Sequence, residues 1–352
     1  MDKQKLVVIV TGVIFGTLAV ILSVAGNPGN MSLCVACFLR DISGAIGLHR
    51  FAAAQYIRPE VIGIVLGALF ISLIKKEYAP RGGSSPFVRF VMGACVMIGA
   101  LIFLGCPMRM ILRMAGGDLN ALVGLVGFAG GIMTGIFFLN RGFSLKRSYD
   151  QPAPEGLGLS VVSVFLLVLL ILAPAFIFFS ETGVGSLRAP MLLSLAAGLI
   201  VGITAQRSRL CFIGGIRDML LFKDFKMMLA FAVIFVTVLT GNFITGGFNL
   251  GFEGQPIAHS DWLFNILGLY LVGFGSVLLG GCPFRQLVMA GSGNGDAGVT
   301  VFGYIVGAAF AHNFYLASSP AGASPNGRIA FFVCIAIVFA VAIFSTKKSS
   351  QA

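Results

Sequence analysis

Long apolar runs alternate with short polar stretches along the whole chain. Ten such runs stand out, and they are long enough for membrane helices rather than for the strands of a β-barrel. The second, sixth and ninth fall furthest short of the roughly 20 residues that a straight span needs, so we expect nine to ten transmembrane helices. The runs cover residues 6–24, 61–74, 87–104, 119–139, 161–179, 191–205, 227–243, 263–279, 299–311 and 329–344.

The composition places the chain in a lipid bilayer. Of its 352 residues, 57% are hydrophobic and 11% are charged, and the mean hydropathy is +0.97. A soluble domain carries about 25% charged residues. Charge this sparse excludes a soluble enzyme, a disordered chain and a disulfide-rich secreted module. We therefore predict an all-α polytopic membrane protein.

The net charge of +11 reflects topology rather than an acidic partner. If the N-terminus is cytoplasmic and ten runs cross, 17 of the 24 basic residues lie inside, as the positive-inside rule requires. This predicts an inner-membrane protein with both termini in the cytoplasm and no nucleic-acid partner. The first run is long for a signal peptide, so we expect it to be retained. The seven outer residues are Arg40, Arg50, Arg58, Arg109, Arg113, Arg188 and Arg328.

Comparison of the chain with itself reveals an internal duplication. The segment 34–41 aligns with 211–218, and Cys, Arg and Asp match between the two. A Gly-Cys-Pro-x-Arg motif at 105–109 recurs at 281–285. The distance along the chain between these two motifs differs by a single position from the distance between the first two segments. Two separate motifs at almost the same offset indicate two copies of one unit. We call the offset between the two Gly-Cys-Pro motifs the repeat offset.

The second copy is predicted to be inverted relative to the first. Five spans separate the two starting points, and an odd number reverses the direction of crossing. After the second motif, each copy continues with Met-Ala-Gly and then an acid, Asp118 or Asp296. The predicted division is 1–150 for repeat 1, 151–190 for a linking span, 191–316 for repeat 2, and 317–352 for a C-terminal span and tail.

Helix-breaking residues interrupt each copy twice. They are the Gly-Asn-Pro-Gly-Asn-Met stretch at 26–31, the two Gly-Cys-Pro turns, and the glycine pair at 214–215. The apolar piece after each break is too short to span, so we expect four short re-entrant helices that are buried in protein or line a wet cavity. Two from each face would form an hourglass, and their N-termini would favour an anion.

Cysteines at the repeated breaks are the main candidates for chemistry. Cys95 and Cys334 lie inside spans, where a thiol is usually a small buried hydrophobe. The repeated cysteines suit a sulfur- or selenium-bearing guest, because a thiol is soft, polarisable and a weak hydrogen-bond donor. The four repeated positions are Cys34, Cys106, Cys211 and Cys282.

The first break also contains a C-x-x-C pair, Cys34 and Cys37. A disulfide, local packing and contact with a substrate all remain open for it, and a membrane thiol oxidoreductase that uses a quinone is an alternative function. The histidines His49, His259 and His312 lack ligand spacing, so we expect no metal and no cofactor. For His49 a surface position is expected.

Four arginines follow the motif cysteines by three to six residues, within a turn or two of the thiols. Arginine is costly inside a membrane and needs a partner or a purpose there. The adjacent acids Asp41 and Asp218 favour internal ion pairs for two of them. For the other two, attraction of an anion and structural pairing are equally open. They are Arg40 and Arg217, which have the adjacent acids, and Arg109 and Arg285, which do not.

The segment 206–218, together with the two Gly-Cys-Pro motifs, resembles the YeeE/YedE family of sulfur-transport membrane proteins. The resemblance runs from residue 6 to about residue 311 and is strongest to the YedE branch, named for selenium metabolism. It implies an hourglass-shaped protein in which cysteines pass thiosulfate along by S–H···S hydrogen bonds. By motif, Cys106, Cys211 and Cys282 match the relay cysteines, and Cys34 matches through the repeat.

The expected function is therefore uptake of a small sulfur- or selenium-containing anion, without enzymatic turnover. A further alternative is a membrane partner that hands sulfur or selenium to a small cytosolic carrier protein through the basic loop 207–226. The predicted substrate path consists of Cys34, Cys37, Cys106, Cys211, Cys282, Arg40, Arg109, Arg217 and Arg285.

Overall fold

A computed structural model describes residues 3–346, which are almost entirely helical. Residues 1–2 and 347–352, including Lys347 and Lys348 of the predicted inner set, lie outside the described part. A single antiparallel pair of short strands, β1 (Arg81–Gly82) and β2 (Tyr149–Asp150), joins two loops, and a 3₁₀ turn at Glu155–Leu157 precedes α7. The described helices are α1 (Lys3–Val24), α2 (Val35–Ala45), α3 (Pro59–Ile74), α4 (Pro86–Ile102), α5 (Pro107–Ala115), α6 (Leu119–Asn140), α7 (Gly158–Leu172), α8 (Met191–Ser208), α9 (Gly214–Phe222), α10 (Lys226–Thr245), α11 (Trp262–Leu279), α12 (Pro283–Gly291), α13 (Gly295–Asn313) and α14 (Pro325–Phe344).

The helices confirm the prediction of an all-α polytopic membrane protein. Eight helical segments in the described range are long and apolar enough to cross a bilayer, and large hydrophobic side chains such as Leu192 and Ile244 are exposed on them. Of the three doubtful runs, the sixth (α8) is among the eight. The second corresponds to α3, which has 16 residues, and the ninth to α13, which begins with polar residues.

The same succession of long and short helices occurs twice. Helices α1–α6 form one copy and α8–α13 the other, each in the order long, short, long, long, short, long. Packing between the copies is crossed, which means that each of these long helices lies against a helix of the other copy. Helix α6 lies against α11, and the equivalent pair is α13 with α4. Helix α3 lies against α8, and the equivalent pair is α10 with α1. Each copy therefore buries its long helices mainly against the other copy.

Glycines allow these crossed pairs to approach closely. A Cβ atom at Gly127 of α6 would overlap the backbone oxygen of Ile266, and one at Gly303 of α13 would overlap that of Phe90. The repeat offset relates the two glycines to each other and the two partners to each other. Small residues therefore allow close helix packing here, and the repeat extends to individual helix contacts.

One predicted span is wrong at its end. The run 161–179 was expected to be helical throughout, but α7 ends at Leu172, two residues before Pro174. Proline lacks an N–H group and restricts the residue before it, which ends the helix. The chain then runs irregularly to α8, and the Phe178 N–H donates to the Ala45 carbonyl at 2.9 Å.

Candidate anion path

Each motif cysteine stands at or just before the N-terminus of a short helix. Cys34, Cys106 and Cys282 are the N-cap residues of α2, α5 and α12, and Cys211 precedes α9. Proline in the first turn of α5 and α12 has the backbone angle that a helix start requires. The first N–H groups of a helix have no partner within it, so all four thiols lie where the backbone is locally positive.

Three of these thiols form a first thiol cluster of Cys34, Cys37 and Cys106. The Sγ of Cys34 lies 3.0 Å from the Sγ of Cys37 and 3.8 Å from the Sγ of Cys106. All three residues are at most 1% exposed, and the cysteines are free thiols. The Cys106 sulfur also interacts with the backbone N–H groups of Ala36 and Arg109, so α2 and α5 meet end to end.

The second copy supplies a second thiol cluster, Cys211 and Cys282, whose side chains interact directly. The sulfur of Cys211 also faces the backbone N–H groups of Ile213 and Gly214 at the start of α9. Cys211 is 8% exposed, in contrast to the first cluster. The structure therefore brings the four repeated cysteines together in two groups, one from each copy.

A cavity of about 630 Å³ leads from the surface to Cys211. We call it the basic vestibule, because six basic side chains and only two acids line it. A concave surface lined by one sign of charge concentrates counter-ions, here anions. The basic residues are Lys3, Arg207, Arg209, Arg217, Lys226 and Arg285, and the acids are Asp218 and Asp224.

The two acids of the vestibule are already paired. Asp218 lies 2.8 Å from Arg217, and Asp224 lies 3.4 Å from Lys226. The backbone N–H of Lys226 lowers the pKa of Asp224, so this carboxylate stays ionised beside its partner. The charge left over in the vestibule is therefore positive.

Both predicted ion pairs between neighbouring residues are present. Arg40 donates to Asp41 at 2.6 Å in the buried interior, and Arg217 pairs with Asp218 at the partly exposed edge of the vestibule. Asp41 also accepts from Arg58, at 2.7 Å. Two arginines thus share one buried carboxylate beside the first thiol cluster, which offsets the cost of burying their charge.

Arg109 is fully buried, and its partners are backbone carbonyls rather than a carboxylate. It donates to Asn30 at 3.1 Å, to Pro256 at 3.2 Å and to Ile257 at 3.1 Å, and one Nη lies 3.8 Å from the Sγ of Cys37. Arg109 therefore ties the irregular segment 246–261 over the first thiol cluster.

Arg285 occupies the equivalent position in the second copy but has different surroundings. Its Nη1 donates to the side-chain oxygen of Gln206 at 3.4 Å, and it lines the basic vestibule near Cys211. Within residues 3–346 it has no ion-pair partner. Its guanidinium is therefore available to an anion that enters the vestibule.

One expectation about a single residue is wrong. His49 is not at the surface but is 1% exposed, and its Nε2 lies 3.0 Å from the Arg40 carbonyl oxygen. The acid after the second motif is not equivalent in the two copies. The position that matches Asp118 is Asn294, and both are N-caps of the following helix, where either side chain accepts a backbone N–H.

The sequence reasoning missed Tyr304, which is fully buried on α13 and interacts electrostatically with the thiols of Cys106, Cys211 and Cys282. The internal repeat could have drawn attention to this residue. The repeat offset aligns it with Phe128, so the hydroxyl is a difference between otherwise matching positions.

Fold and site together define a polytopic helical membrane protein whose buried thiols lie at the ends of short helices. Residues 207–347 match the sequence model of a family described as Sulphur transport. This match and the relatives below confirm the resemblance to the YeeE/YedE family of sulfur-transport membrane proteins.

Two curated relatives carry the same name. The chain is 32% identical over 117 residues to the thiosulfate transporter TsuA of Escherichia coli (strain K12), which is 33% of each protein. It is 32% identical over 120 residues to the thiosulfate transporter TsuA of Spirochaeta thermophila, which covers 32% of this chain and 34% of the relative. The chain thus spans about a third of the length of the relatives that it matches.

Proposed function

We propose that the protein transports a small sulfur- or selenium-containing anion across the membrane, along a path that joins its two thiol clusters. One observation carries this proposal: the basic vestibule ends at Cys211, whose thiol contacts a second motif cysteine at the N-terminus of a short helix. The names of the two relatives support a sulfur anion as the substrate.

The proposed mechanism divides dehydration of the anion into several modest steps. Unpaired positive charge such as that of Arg285 attracts the anion, and helix N-termini then replace part of its hydration shell. Each thiol donates one weak S–H hydrogen bond, and the anion passes from one cluster to the next. Weak binding at successive sites is required, because tight binding at any one of them would stop conduction.

The two ends of the path differ in access. The basic vestibule is open, whereas Arg109 holds segment 246–261 over the first thiol cluster, and segment 173–190 lies against the C-terminal end of α2 and the loop after it. Under the positive-inside rule the vestibule faces the cytoplasm, so we infer a state that is open inward and closed outward, in an hourglass of two inverted copies. Uptake then requires the contacts of Arg109 with Pro256 and Ile257 to open.

The substrate is identified by flux into proteoliposomes that contain the purified protein. Thiosulfate, sulfite, selenite and selenate are compared at equal concentration, with protein-free liposomes as the control. We expect saturable uptake of thiosulfate or of a selenium oxyanion above that control. No uptake of any of the four would contradict the proposed function.

A second candidate function rests on the 3.0 Å separation of the Cys34 and Cys37 sulfurs, which also suits a membrane thiol oxidoreductase. That function requires a reducible disulfide and is abolished by Cys37→Ala, whereas the transport path depends more on Cys282. A cytosolic sulfur-carrier protein that docks at the mouth of the vestibule, near Arg207 and Lys226, remains a proposal that a pull-down from cytosol would test.

A further inference from the structure

The phenol of Tyr304 is the one component of the path that the cysteine motifs do not account for. Its side chain is 0% exposed, and within the described residues its hydroxyl has no hydrogen-bond partner. Buried hydroxyl groups are nearly always paired, because an unpaired one loses its hydrogen bonds to water without replacement. Tyr304 is one of four buried hydroxyl groups without a partner in the described residues, and its place near the motif thiols suits a ligand that supplies the missing partner.

Tyr304 lies within electrostatic range of both thiol clusters. It interacts electrostatically with Cys282 and Cys211 of the second cluster and with Cys106 of the first. Next to it on α13, the Ile305 carbonyl accepts a 3.1 Å hydrogen bond from the Ser43 hydroxyl of α2, which fixes α13 against a helix of the first copy. The phenol is therefore within electrostatic range of both clusters, on a helix that is hydrogen-bonded to the first copy.

Packing alone does not require this hydroxyl. The equivalent position in the first copy is Phe128, which is 1% exposed and follows a glycine in close helix contact, as Tyr304 does. A phenyl ring therefore fills the same place in the same local fold. An unpaired buried hydroxyl lowers the stability of the folded protein, so its presence in only one copy indicates a function.

We propose that the Tyr304 hydroxyl donates a hydrogen bond to an oxygen of the anion as it passes between the first and second thiol clusters. This inference rests on the proposed transport function and refines it. The thiols contact the soft sulfur or selenium end, and the phenol, a harder donor, contacts the oxygen end. The substrate class is therefore an oxygen-bearing anion, not sulfide or selenide.

The test compares Tyr304→Phe with Tyr270→Phe, which removes a hydroxyl that bonds Thr134 at 2.9 Å on the α6–α11 contact. Thiosulfate uptake into proteoliposomes gives the maximal rate and the half-saturating concentration, and thermal unfolding in detergent gives the melting temperature. For Tyr304→Phe we expect the maximal rate to fall about tenfold, with half-saturation changed less than about twofold, because the entrance is intact. The melting temperature should stay equal or rise, since an unpaired buried hydroxyl is removed.

Three results would overturn the inference and leave the proposed function standing. A wild-type maximal rate for Tyr304→Phe would show that the hydroxyl does not contact the anion. A melting temperature that falls together with the rate would indicate a structural role, as would an equal loss of rate in Tyr270→Phe. If the wild-type protein takes up a selenium oxyanion and not thiosulfate, the same comparison is made with that anion. Absence of uptake of all four anions by the wild-type protein would instead overturn the proposed function and the inference with it.

Discussion

At the scale of the residue, the partners of the four motif arginines separate their roles. Arg40 and Arg217 have a carboxylate beside them, and Arg109 has carbonyls of a distant segment. Among the described residues, Arg285 has only the Gln206 amide as a partner. The sequence predicts the first two, since the acid is the next residue. It does not separate Arg109 from Arg285, because their partners come from other parts of the chain.

Arg285→Gln should raise the half-saturating concentration of the transported anion about three- to tenfold. The substitution removes an unpaired charge in the vestibule, while the amide still fits the site. The measurement is the concentration dependence of uptake. The control is the double substitution Arg217→Gln with Asp218→Asn, because removing both members of this ion pair leaves the net charge of the vestibule unchanged. Equal effects of the two variants would contradict the assignment.

At the scale of the element, the four short helices are not equally covered. All eleven residues of α2 are buried, whereas only Gly214 and Gly215 are buried in α9. The helix breakers predict that these helices exist. They do not predict where segments 173–190 and 246–261 lie, because these segments attach through backbone hydrogen bonds to residues far away in the chain.

This difference in cover predicts an order of thiol reactivity. In the folded protein in detergent, a small hydrophilic alkylating reagent should modify Cys211 before Cys34, Cys37 and Cys106, because only Cys211 lines the open vestibule. Peptide mass spectrometry at timed intervals measures the order, and the unfolded protein serves as the control in which all four react. Equal rates for both clusters in the folded state would contradict the predicted cover.

The crossed helix contact gives a prediction for stability. Gly303→Ala should lower the free energy of unfolding by about 1–3 kcal/mol, because the new methyl group would overlap the Phe90 carbonyl. Gly298→Ala on the same helix is the matched control, since nothing lies within 4 Å of its Cβ position, and it should be neutral or stabilising. Thermal unfolding compares the two, and a Gly303→Ala protein as stable as the control would exclude close packing there.

At the scale of the whole molecule, the repeat accounts for most of what the sequence predicts. The repeat offset relates the Gly-Cys-Pro motifs, and the structure extends it to Gly127 and Gly303 in the crossed helix pairs. What the repeat cannot predict is the difference in cover, because the first cluster is closed over whereas Cys211 of the second cluster lines the vestibule. This difference depends on contacts between segments far apart in the chain.

The central claim is that the repeated cysteines form the path of the anion. The most direct test measures thiosulfate uptake by Cys106→Ala and Cys282→Ala proteins at matched expression. The control is Cys95→Ala, because Cys95 is a buried residue of α4 that contacts Cys334 of α14. We predict that each of the first two lowers uptake about tenfold or more, since each removes a donor from a different cluster, and that the control transports normally. Normal uptake by both Cys106→Ala and Cys282→Ala would contradict the claim.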